Sequence, residues 1–521
     1  MIQNPILKGF CPDPCIIRAG EDFYIAVSTF EWWPGVRIYH SKDLKHWEQI
    51  PSPLRRQSQL DMTGDPTSGG VWAPCLSNDG KRFWLVYTDV KTKKGMYYNT
   101  HNYLVWTEDI YGDWSEPVYL NSVGFDPSLF HDTDGKKYLI NMLNGFKGIT
   151  VQQYDPVSQK LTGPVKTVFC GTEAGYTEGP HMYHIGEWYY LLTAEGGTGY
   201  EHQVTAARSK SVWGPFEAGE ENPVVTSDRS DPGSLQKAGH GSLVDTGHGE
   251  WYLAHLCARA RTTEEGKQVC LTGRETALQK VCFQDGKLQM ADGRKTARLE
   301  TEEPAGIAPH PLKPAADRDD FDSPVLGRRY TSPRVPLNEK ASLQKRPGWL
   351  RLYGQESLNS LHHVSLLAVR QQEPHAMAEL SMEFEPDRYE QLAGLAYMYD
   401  AMNFYIFGKS RLETGETVLR MVGSDTGVCK YLWEDIPIPS QGPITLRAET
   451  DLAGAWVTFS YSLKDGTFHQ AGPRLTTEIL TDEHCRGFTG AHFAMYCHDM
   501  TGSGKHADFD YFTYHDYLIK H

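Results

Sequence analysis

A chain of 521 residues exceeds what one hydrophobic core usually organises, so we expect two domains or three. The formal net charge of −15 argues against nucleic acid as a partner, because phosphate recognition depends on clustered Lys and Arg. Aromatic residues make up 12% of the chain, and its 49 Gly and 30 Pro favour many short strands joined by turns. The composition therefore predicts an all-β protein.

The N-terminal residues MIQNPILKGFCPDP lack the basic stretch and apolar run of a secretory signal. No segment approaches the roughly 20 apolar residues of a membrane span. Ten Cys are too sparse for a disulfide framework, so we expect a cytoplasmic protein. Cys11 and Cys15 flank Asp13, but no second Cys/His pair at zinc-finger spacing accompanies them, and we interpret them as structural thiols.

In chain order, the first feature is a degenerate repeat. Each copy has a small-residue start, a short apolar strand, a Gly-containing turn and an aromatic-rich strand, as in a β-hairpin. Copies lie about 50 to 60 residues apart, which leaves room for four strands each. Five copies predict a five-bladed β-propeller over residues 1–305. The copies are PDPCIIRAGEDFYIAV, WAPCLSNDGKRFWLVY, FDPSLFHDTDGKKYLI, EGPHMYHIGEWYYLL and GHGSLVDTGHGEWYLAHL.

The leading residues of these copies are expected to surround one mouth of the central channel, because the first strand of each blade lines it. They are Asp13, Ala73, Asp126, Glu178 and His240, with Glu178 offset by one residue relative to its Pro. One Asp before a Pro is commonly only a turn former. Three convergent acids would raise one another's pKa, however, and such a conflict is typical of a functional site.

Paired carboxyl groups that face across a sugar are the usual apparatus of glycoside hydrolysis. Glu178 has the longer reach and lies in TEGPHMY among apolar and aromatic residues that would keep it protonated, so we predict it to be the general acid. Asp13, held between two prolines, is predicted to be the base that polarises water. Asp126 would orient Glu178 and shift its pKa.

Residues near the same positions are candidates for sugar binding. Phe30 and Trp33 follow the first hairpin. Trp in a propeller is commonly core, but Trp72 is the exception, because it adjoins the second leading residue at the channel. Arg274 in LTGRETALQ could bond sugar hydroxyls or a carboxylate, or lie at the surface. His240 could contact the base, hold a cation through water, or simply be hydrogen-bonded.

Seven phrases together resemble glycoside hydrolase family 43, in its two-domain β-xylosidase and α-L-arabinofuranosidase branch. The resemblance implies a five-bladed propeller with an inverting mechanism, with Asp13 as base, Asp126 as pKa-tuning acid and Glu178 as general acid. It also implies that Arg274 contacts the terminal sugar and that Phe30, Trp72 and His240 surround it. The phrases are NPILKGFCPDPCIIR, FYIAVSTFEWWPGVRIYHSKDLKHW, SGGVWAP, GFDPSLFHD, TEGPHMY, TAEGGTGY and GRETALQ, and the similarity resumes in FTGAHFAMYCHDMTGSGKHADFDYF.

Two positions depart from that family's pattern. Asn144 in NMLNGFK stands where relatives commonly carry a Trp near the leaving group, and His492 in FTGAHFA stands where a Phe is expected. Both are predicted to contact substrate and to alter specificity together, because the second domain of relatives inserts a loop into the pocket.

The composition changes after the repeats. EEPAGIAPHPLKPAADRDD has the Pro, Ala and charge content of a linker, placed at residues 306–320. The strand-like pieces that follow predict a β-sandwich over residues 321–521. It could be a carbohydrate-binding module, but the family resemblance favours a domain packed on the propeller that closes the pocket.

We therefore predict an exo-acting glycosidase that removes terminal β-D-xylosyl units from xylo-oligosaccharides with inversion. The alternatives are an α-L-arabinofuranosidase or bifunctional enzyme, and a non-catalytic sugar-binding propeller. No cofactor is expected to be required, with a channel cation such as calcium as the open alternative. The expected partner is a small oligosaccharide, not nucleic acid or membrane, and relatives often form homo-oligomers.

Overall fold

The computed structural model describes residues 1–94, 97–231, 234–463 and 466–517. Nearly all of its regular structure is β-strand, arranged as five separate four-stranded sheets followed by two larger ones. The predicted five-bladed propeller and the β-sandwich that follows it are confirmed.

Each blade of the propeller is an antiparallel sheet whose four strands follow one another along the chain. The innermost strands carry almost continuous buried runs, since they face neighbouring blades on both sides. The strands are Cys15–Ala19, Asp22–Val27, Arg37–Ser41 and Glu48–Ile50 in blade 1; Gly70–Asn78, Phe83–Thr92, Asn99–Thr107 and Val118–Asn121 in blade 2; Gly124–His131, Lys137–Leu143, Ile149–Asp155 and Lys160–Phe169 in blade 3; Glu178–Ile185, Trp188–Glu195, Gln203–Ser209 and Glu217–Ala218 in blade 4; and Gln236–Asp245, Trp251–Ala258, Glu275–Gln284 and Lys287–Met290 in blade 5.

The N-terminal segment joins the last blade to the first. Leu7 and Thr276 exchange backbone hydrogen bonds of 3.2 and 3.1 Å, and the N–H of Cys11 donates to the carbonyl of Arg274 at 2.9 Å. Ile2–Gln3 pairs with Glu300–Thr301, which follows blade 5. These contacts place the start of blade 1 beside the third strand of blade 5 and close the ring.

The second domain is a sandwich of two antiparallel sheets with an apolar core between them. Within residues 318–463 and 466–517, one sheet has eight strands and the other seven. The first contains Arg318–Asp319, Ala341–Ser342, Leu350–Tyr353, Ala376–Glu383, Ile444–Thr450, Trp456–Ser462, Phe468–Thr476 and His506–Asp516; the second contains Ser365–Arg370, Gln391–Met398, Phe404–Arg411, Thr417–Asp425, Val428–Tyr431, Ile436–Pro437 and His492–Asp499.

Residues 302–317, all described, contain no helix or strand. The first strand of the sandwich, Arg318–Asp319, pairs with the last, His506–Asp516, so the predicted linker overlaps the sandwich by these residues. The α-helix of the described residues, Asp482–Cys485, begins with a side-chain cap from Thr481. Short 3-10 turns cover Asn338–Lys340 and Glu478–Leu480. No helix in the described part of the chain is long and apolar enough to span a membrane.

The two domains contact each other directly. The strand Trp32–Trp33 of the propeller pairs with Ser332–Pro333 ahead of the sandwich core. Buried Lys237 of blade 5 lies 3.1 Å from Asp482 and 2.8 Å from Glu483, both in the short helix of the sandwich. The loop after that helix carries Phe488 to the mouth of the propeller. The interface therefore positions part of the sandwich at the channel.

Candidate active site

A pocket at one mouth of the channel receives side chains from every blade and from the sandwich. The acids predicted from the repeat lie in it together, with apolar rings around them. Its lining residues are Asp13 and Phe30 of blade 1, Trp72 of blade 2, Phe125 and Asp126 of blade 3, Glu178 and Thr198 of blade 4, His240 and Arg274 of blade 5, and Phe488 of the sandwich.

The residues that begin the blades share one unusual backbone conformation. Asp13, Ala73, Asp126, Gly179 and His240 all have positive φ, between 31° and 56°. In blades 2 to 5 the register of the innermost strand shifts at this point, as at a β-bulge. This shared left-handed turn directs successive side chains toward the mouth of the channel.

The turn also explains why Glu178 is offset by one residue in its repeat. The equivalent of Asp13 and Asp126 in blade 4 is Gly179, and Glu178 is the residue before it. A Cβ at Gly179 would lie 2.8 Å from the ring of His240, so this position requires Gly. Glu178 corresponds instead to Trp72 and Phe125, which also line the pocket.

Asp13 is buried and surrounded by donors. The hydroxyl of Ser28 donates to Oδ2 of Asp13 at 2.6 Å, and Ser28 in turn accepts the N–H of Ala73 at 2.8 Å. Arg274 lies 3.4 Å and His240 3.8 Å from Oδ1 of Asp13. Burial alone raises the pKa of Asp13, but Arg274, His240 and Ser28 outweigh it and hold the pKa below its usual value. Asp13 is therefore a carboxylate.

Asp126 and Glu178 differ from Asp13 because their surroundings raise their pKa values. The N–H of Gly179 donates to Oδ2 of Asp126 at 3.0 Å. Burial, and then the charge of Asp13, raise the pKa of Asp126 to about 8. Burial followed by the charges of Asp126 and Asp13 raises the pKa of Glu178 well above its usual value. Glu178 therefore holds a proton while Asp13 does not.

Arg274 connects the base to the wall of the pocket. It donates to Oγ1 of Thr198 at 2.7 Å and to the carbonyl of Phe488 at 3.2 Å. Its guanidinium lies 5.5 Å from the ring centre of Phe30 and 5.1 Å from that of Phe488. Its Nε is buried without a hydrogen-bond partner in the described residues. Arg274 is thus a buried, carboxylate-paired residue with one donor still to be satisfied.

Four aromatic rings form one wall. The ring of Trp72 lies 6.2 Å from that of Phe30, 5.3 Å from that of Phe125 and 5.9 Å from that of Phe488. The indole N–H of Trp72 donates to the carbonyl of Ser68 at 3.0 Å, which fixes the ring. Apolar rings beside polar groups are the usual lining of a sugar pocket, because the sugar presents both hydroxyls and C–H faces.

The structure adds lining residues that the sequence reasoning missed. Phe125 precedes Asp126 and Thr198 lies within the phrase TAEGGTGY, but neither residue is singled out by the repeat or by its own chemistry. Phe488 comes from the other domain, more than 200 residues beyond the last blade-starting residue, so no local spacing could associate it with the site. Its N–H donates to the hydroxyl of Ser68 at 3.0 Å, which anchors this sandwich loop on the propeller.

An aromatic rim extends the wall toward solvent. The ring of Phe146 lies 6.1 Å from Phe125 and 5.2 Å from Tyr176, nearly perpendicular to both. Phe146 is 37% exposed and Tyr176 60% exposed, so both present faces to solvent. Phe146 follows Asn144 by two residues, in the turn after Lys137–Leu143. This turn therefore carries an exposed aromatic ring although Asn144 itself does not supply one.

Three predicted sugar contacts lie outside the pocket lining. The N–H of Asn144 donates to the carbonyl of Val123 at 2.9 Å, which fixes the turn. His492 is fully buried, with its ring 4.2 Å from that of Trp32 and its Nδ1 bonded to the carbonyl of Gly490. Trp33 is buried in the core between blades 1 and 2. Direct contact of His492 with a sugar is wrong for this structure, because neighbouring side chains cover its ring. The buried position of Trp33 agrees with the interpretation that Trp in a propeller is commonly core.

His240 lines the pocket, and burial lowers its pKa to about 4. Its imidazole is therefore neutral near pH 7. Among the described residues, His240 belongs to no group of three His, Cys, Asp or Glu side chains close enough to share an ion. The calcium alternative, which relies on His240 and water, stays a prediction.

A propeller that brings an ionised and a protonated carboxyl group into one aromatic-walled pocket has the fold and the site of a glycoside hydrolase. Residues 2–288 match the model of the glycosyl hydrolases family 43. Residues 318–515 match that of the beta-xylosidase C-terminal concanavalin A-like domain. The chain belongs to glycosyl hydrolase family 43.

Relatives match over nearly the whole chain. A beta-xylosidase of Bacillus subtilis is 45% identical, with 98% of this chain and 99% of the relative covered. A non-reducing end alpha-L-arabinofuranosidase of Bacteroides ovatus is 32% identical, with 98% and 94% covered. The crystal structure of a xylan beta-1,4-xylosidase from Bacillus halodurans superposes with a TM-score of 0.95 at 44% identity, covering 99% of this chain and 100% of that one.

Proposed function

We propose that this protein is an exo-acting β-D-xylosidase that removes terminal xylosyl units from xylo-oligosaccharides with inversion at the anomeric carbon. The observation that carries the proposal is the contrast between two buried carboxyl groups in one pocket: Arg274, 3.4 Å from Asp13, favours the ionised form of Asp13, whereas burial favours the protonated form of Glu178. An acid and a base of this kind are what a single displacement at a sugar carbon needs.

In the proposed reaction, Glu178 donates its proton to the glycosidic oxygen as the bond to the anomeric carbon breaks. Asp13 takes a proton from a water molecule, whose oxygen attacks that carbon from the opposite face. The product sugar has inverted configuration, and the proton on Asp13 returns to Glu178 through solvent before the next cycle. Two carboxyl groups suffice, and no covalent intermediate forms.

The other lining residues have supporting roles. Asp126 is a positioning residue: the N–H of Gly179 fixes its carboxylate, and its charge raises the pKa of Glu178. Arg274 favours the ionised form of Asp13. Its buried Nε–H has no hydrogen-bond partner in the described residues and can donate to a sugar hydroxyl. Phe30 and Trp72 offer ring faces for the sugar ring.

The enclosure of the pocket supports exo action. All five blades contribute to it, and Phe488 of the sandwich covers one side. An open cleft would admit the middle of a chain, whereas a pocket walled on each side accepts a chain end. The expected substrate is therefore the terminal unit of a short oligosaccharide.

An α-L-arabinofuranosidase activity is the second candidate. One observation favours it: a relative at 43% identity from Humicola insolens is named a xylosidase/arabinosidase, and the Bacteroides ovatus relative an arabinofuranosidase. Asn144 gives the turn after Lys137–Leu143 no ring of its own, which reduces the stacking surface for a xylo-oligosaccharide.

The test is to compare hydrolysis of 4-nitrophenyl β-D-xylopyranoside with that of 4-nitrophenyl α-L-arabinofuranoside. Asp13→Ala and Glu178→Ala serve as inactive controls, with thermal unfolding as the check that both variants fold. Preference for the xyloside, lost in Asp13→Ala, supports the proposal. Preference for the arabinofuranoside supports the α-L-arabinofuranosidase instead. If neither glycoside is cleaved, both proposed activities are contradicted.

A further inference from the structure

A group of soft ligand side chains lies in the central channel, just below the active site. Cys15, Cys75 and His181 come from the innermost strands of blades 1, 2 and 4, each two residues after the residue of positive φ in its blade. All three are buried, and their sulfur and imidazole nitrogen atoms lie within 4.8 Å of one another. The proposed hydrolysis uses none of them.

The spacing of the two sulfur atoms fits a shared metal ion. Sγ of Cys15 lies 3.7 Å from Sγ of Cys75. Two thiolates bound at about 2.3 Å to a tetrahedral Zn²⁺ stand about 3.8 Å apart. A disulfide would require about 2.05 Å, so the observed separation corresponds to two reduced thiols.

The same level of the channel is polar in all five blades. The corresponding positions of blades 3 and 5 are Ser128 and Ser242. Ser242 is satisfied, since it donates to the carbonyl of Pro14 and accepts the N–H of Ile16. Ser128 is 3% exposed, and its hydroxyl has no hydrogen-bond partner in the described residues. A buried hydroxyl without a partner indicates that something polar binds at this level.

The channel offers room for such a partner. Cys15, Cys75, His181 and Ser128 all line one cavity of about 400 Å³. Three protein ligands with an open fourth position are a common zinc arrangement, in which water completes the tetrahedron. Ser128 can then hydrogen-bond that water, which would satisfy its hydroxyl.

We propose that Cys15, Cys75 and His181 bind one soft divalent ion, Zn²⁺, with a channel water as fourth ligand. Sulfur and imidazole ligands select zinc over calcium, which prefers oxygen. Binding displaces the thiol protons. The ion would join three of the five blades beneath the carboxyl groups and stabilise the closed ring.

The test uses the full-length protein, reduced and freed of metal by a chelator, and titrates it with Co²⁺. We expect a thiolate-to-cobalt charge-transfer band that saturates at one equivalent and is displaced by Zn²⁺. We also expect Zn²⁺ to raise the unfolding temperature. Cys15→Ser and Cys75→Ser should each lose both effects. Cys11→Ser is the matched control, because Cys11 is equally buried but bonds the hydroxyl of Tyr39 outside the cluster.

Three results would overturn the site. One is the lack of a charge-transfer band in the folded wild-type protein, which needs no variant. Another is a band that survives in both Cys15→Ser and Cys75→Ser, because the metal then binds elsewhere. The third is a band lost equally in Cys11→Ser. Each readout is independent of glycosidase activity, so failure here leaves the proposed function standing.

Discussion

The backbone N–H of Gly179 donates to the carboxylate of Asp126 at 3.0 Å, which holds that carboxylate beside Glu178, the residue preceding Gly179. Burial is the largest cause that raises the pKa of Glu178, and the charge of Asp126 is the next. Asp126 of blade 3 thus favours the protonated form of Glu178 in blade 4.

Asp126→Asn should lower the pKa of Glu178, because Asn cannot ionise and so removes the charge that opposes ionisation of Glu178, while the shape of the side chain is kept. Activity needs Glu178 protonated, so the basic limb of the kcat/KM profile should move to lower pH. Asp132→Asn is the control: Asp132 follows the same strand but bonds His184 and Tyr189 outside the pocket. A basic limb that stays in place in Asp126→Asn would contradict the role assigned to Asp126.

Glu178→Gln should reduce kcat/KM according to how much the leaving group needs a proton. General acid catalysis contributes about 10²- to 10⁴-fold, so we expect a loss of that order with xylobiose. With 2,4-dinitrophenyl β-D-xylopyranoside, whose leaving group departs as an anion, the loss should be much smaller. Equal losses on both substrates, in a variant that unfolds at the wild-type temperature, would show that Glu178 is not the acid.

Gly273→Ala should disturb the contact between the propeller and the sandwich. Gly273 has a φ of +74°, and a Cβ there would lie 1.8 Å from the carbonyl oxygen of Thr489, so Arg274 and the Phe488 loop must move apart. Gly293→Ala is a matched control, since its φ is +72° and nothing lies within 4 Å of the added Cβ. Both variants should lose about 1–2 kcal/mol of stability from the backbone alone.

Only Gly273→Ala should lose further stability and also kcat/KM, because only there does the clash act on pocket residues. Thermal unfolding and steady-state kinetics with an aryl xyloside measure the two effects. If the two variants behave alike, the sandwich does not hold the pocket in its active form.

Phe146→Ala should weaken binding of longer substrates. Its ring joins Phe125 in the pocket wall to exposed Tyr176, and an aromatic contact of this kind contributes about 0.5–1.5 kcal/mol. We expect KM for xylotriose to rise roughly 2- to 10-fold with little change in kcat. Tyr389→Ala, which removes a similarly exposed ring from the sandwich, should leave KM unchanged. An unchanged KM in Phe146→Ala would exclude the rim from substrate binding.

The acids could be predicted from the sequence because the propeller repeats its strands, and the first strand of every blade meets the others at the channel. Asp13, Asp126 and Glu178 each start a recognisable copy, and the structure brings all three into one pocket. The one-residue offset of Glu178 is visible in the sequence, but the repeat alone does not explain it. It follows from the left-handed turn, whose place in blade 4 is taken by Gly179 because His240 leaves no room for a Cβ.

Contacts between distant segments could not be predicted in this way. Phe488 reaches the pocket because the sandwich packs on the propeller. No repeat in the sequence marks the residues that make this contact between domains. The family resemblance predicts His492 at the sugar because it stands where a Phe is expected, but its ring packs on Trp32 beneath the surface. Along the chain Cys15 lies near Cys11, whereas its neighbours in space, Cys75 and His181, come from other blades.

The most direct measurement follows the anomeric proton by ¹H NMR during hydrolysis of 4-nitrophenyl β-D-xylopyranoside by the wild-type protein. It tests the activity, the sugar and the single displacement by Asp13 and Glu178 together. We predict that α-xylose appears first and that β-xylose grows in only at the rate of mutarotation. β-Xylose as the first product would require a covalent intermediate and would contradict the assigned roles of both carboxyl groups.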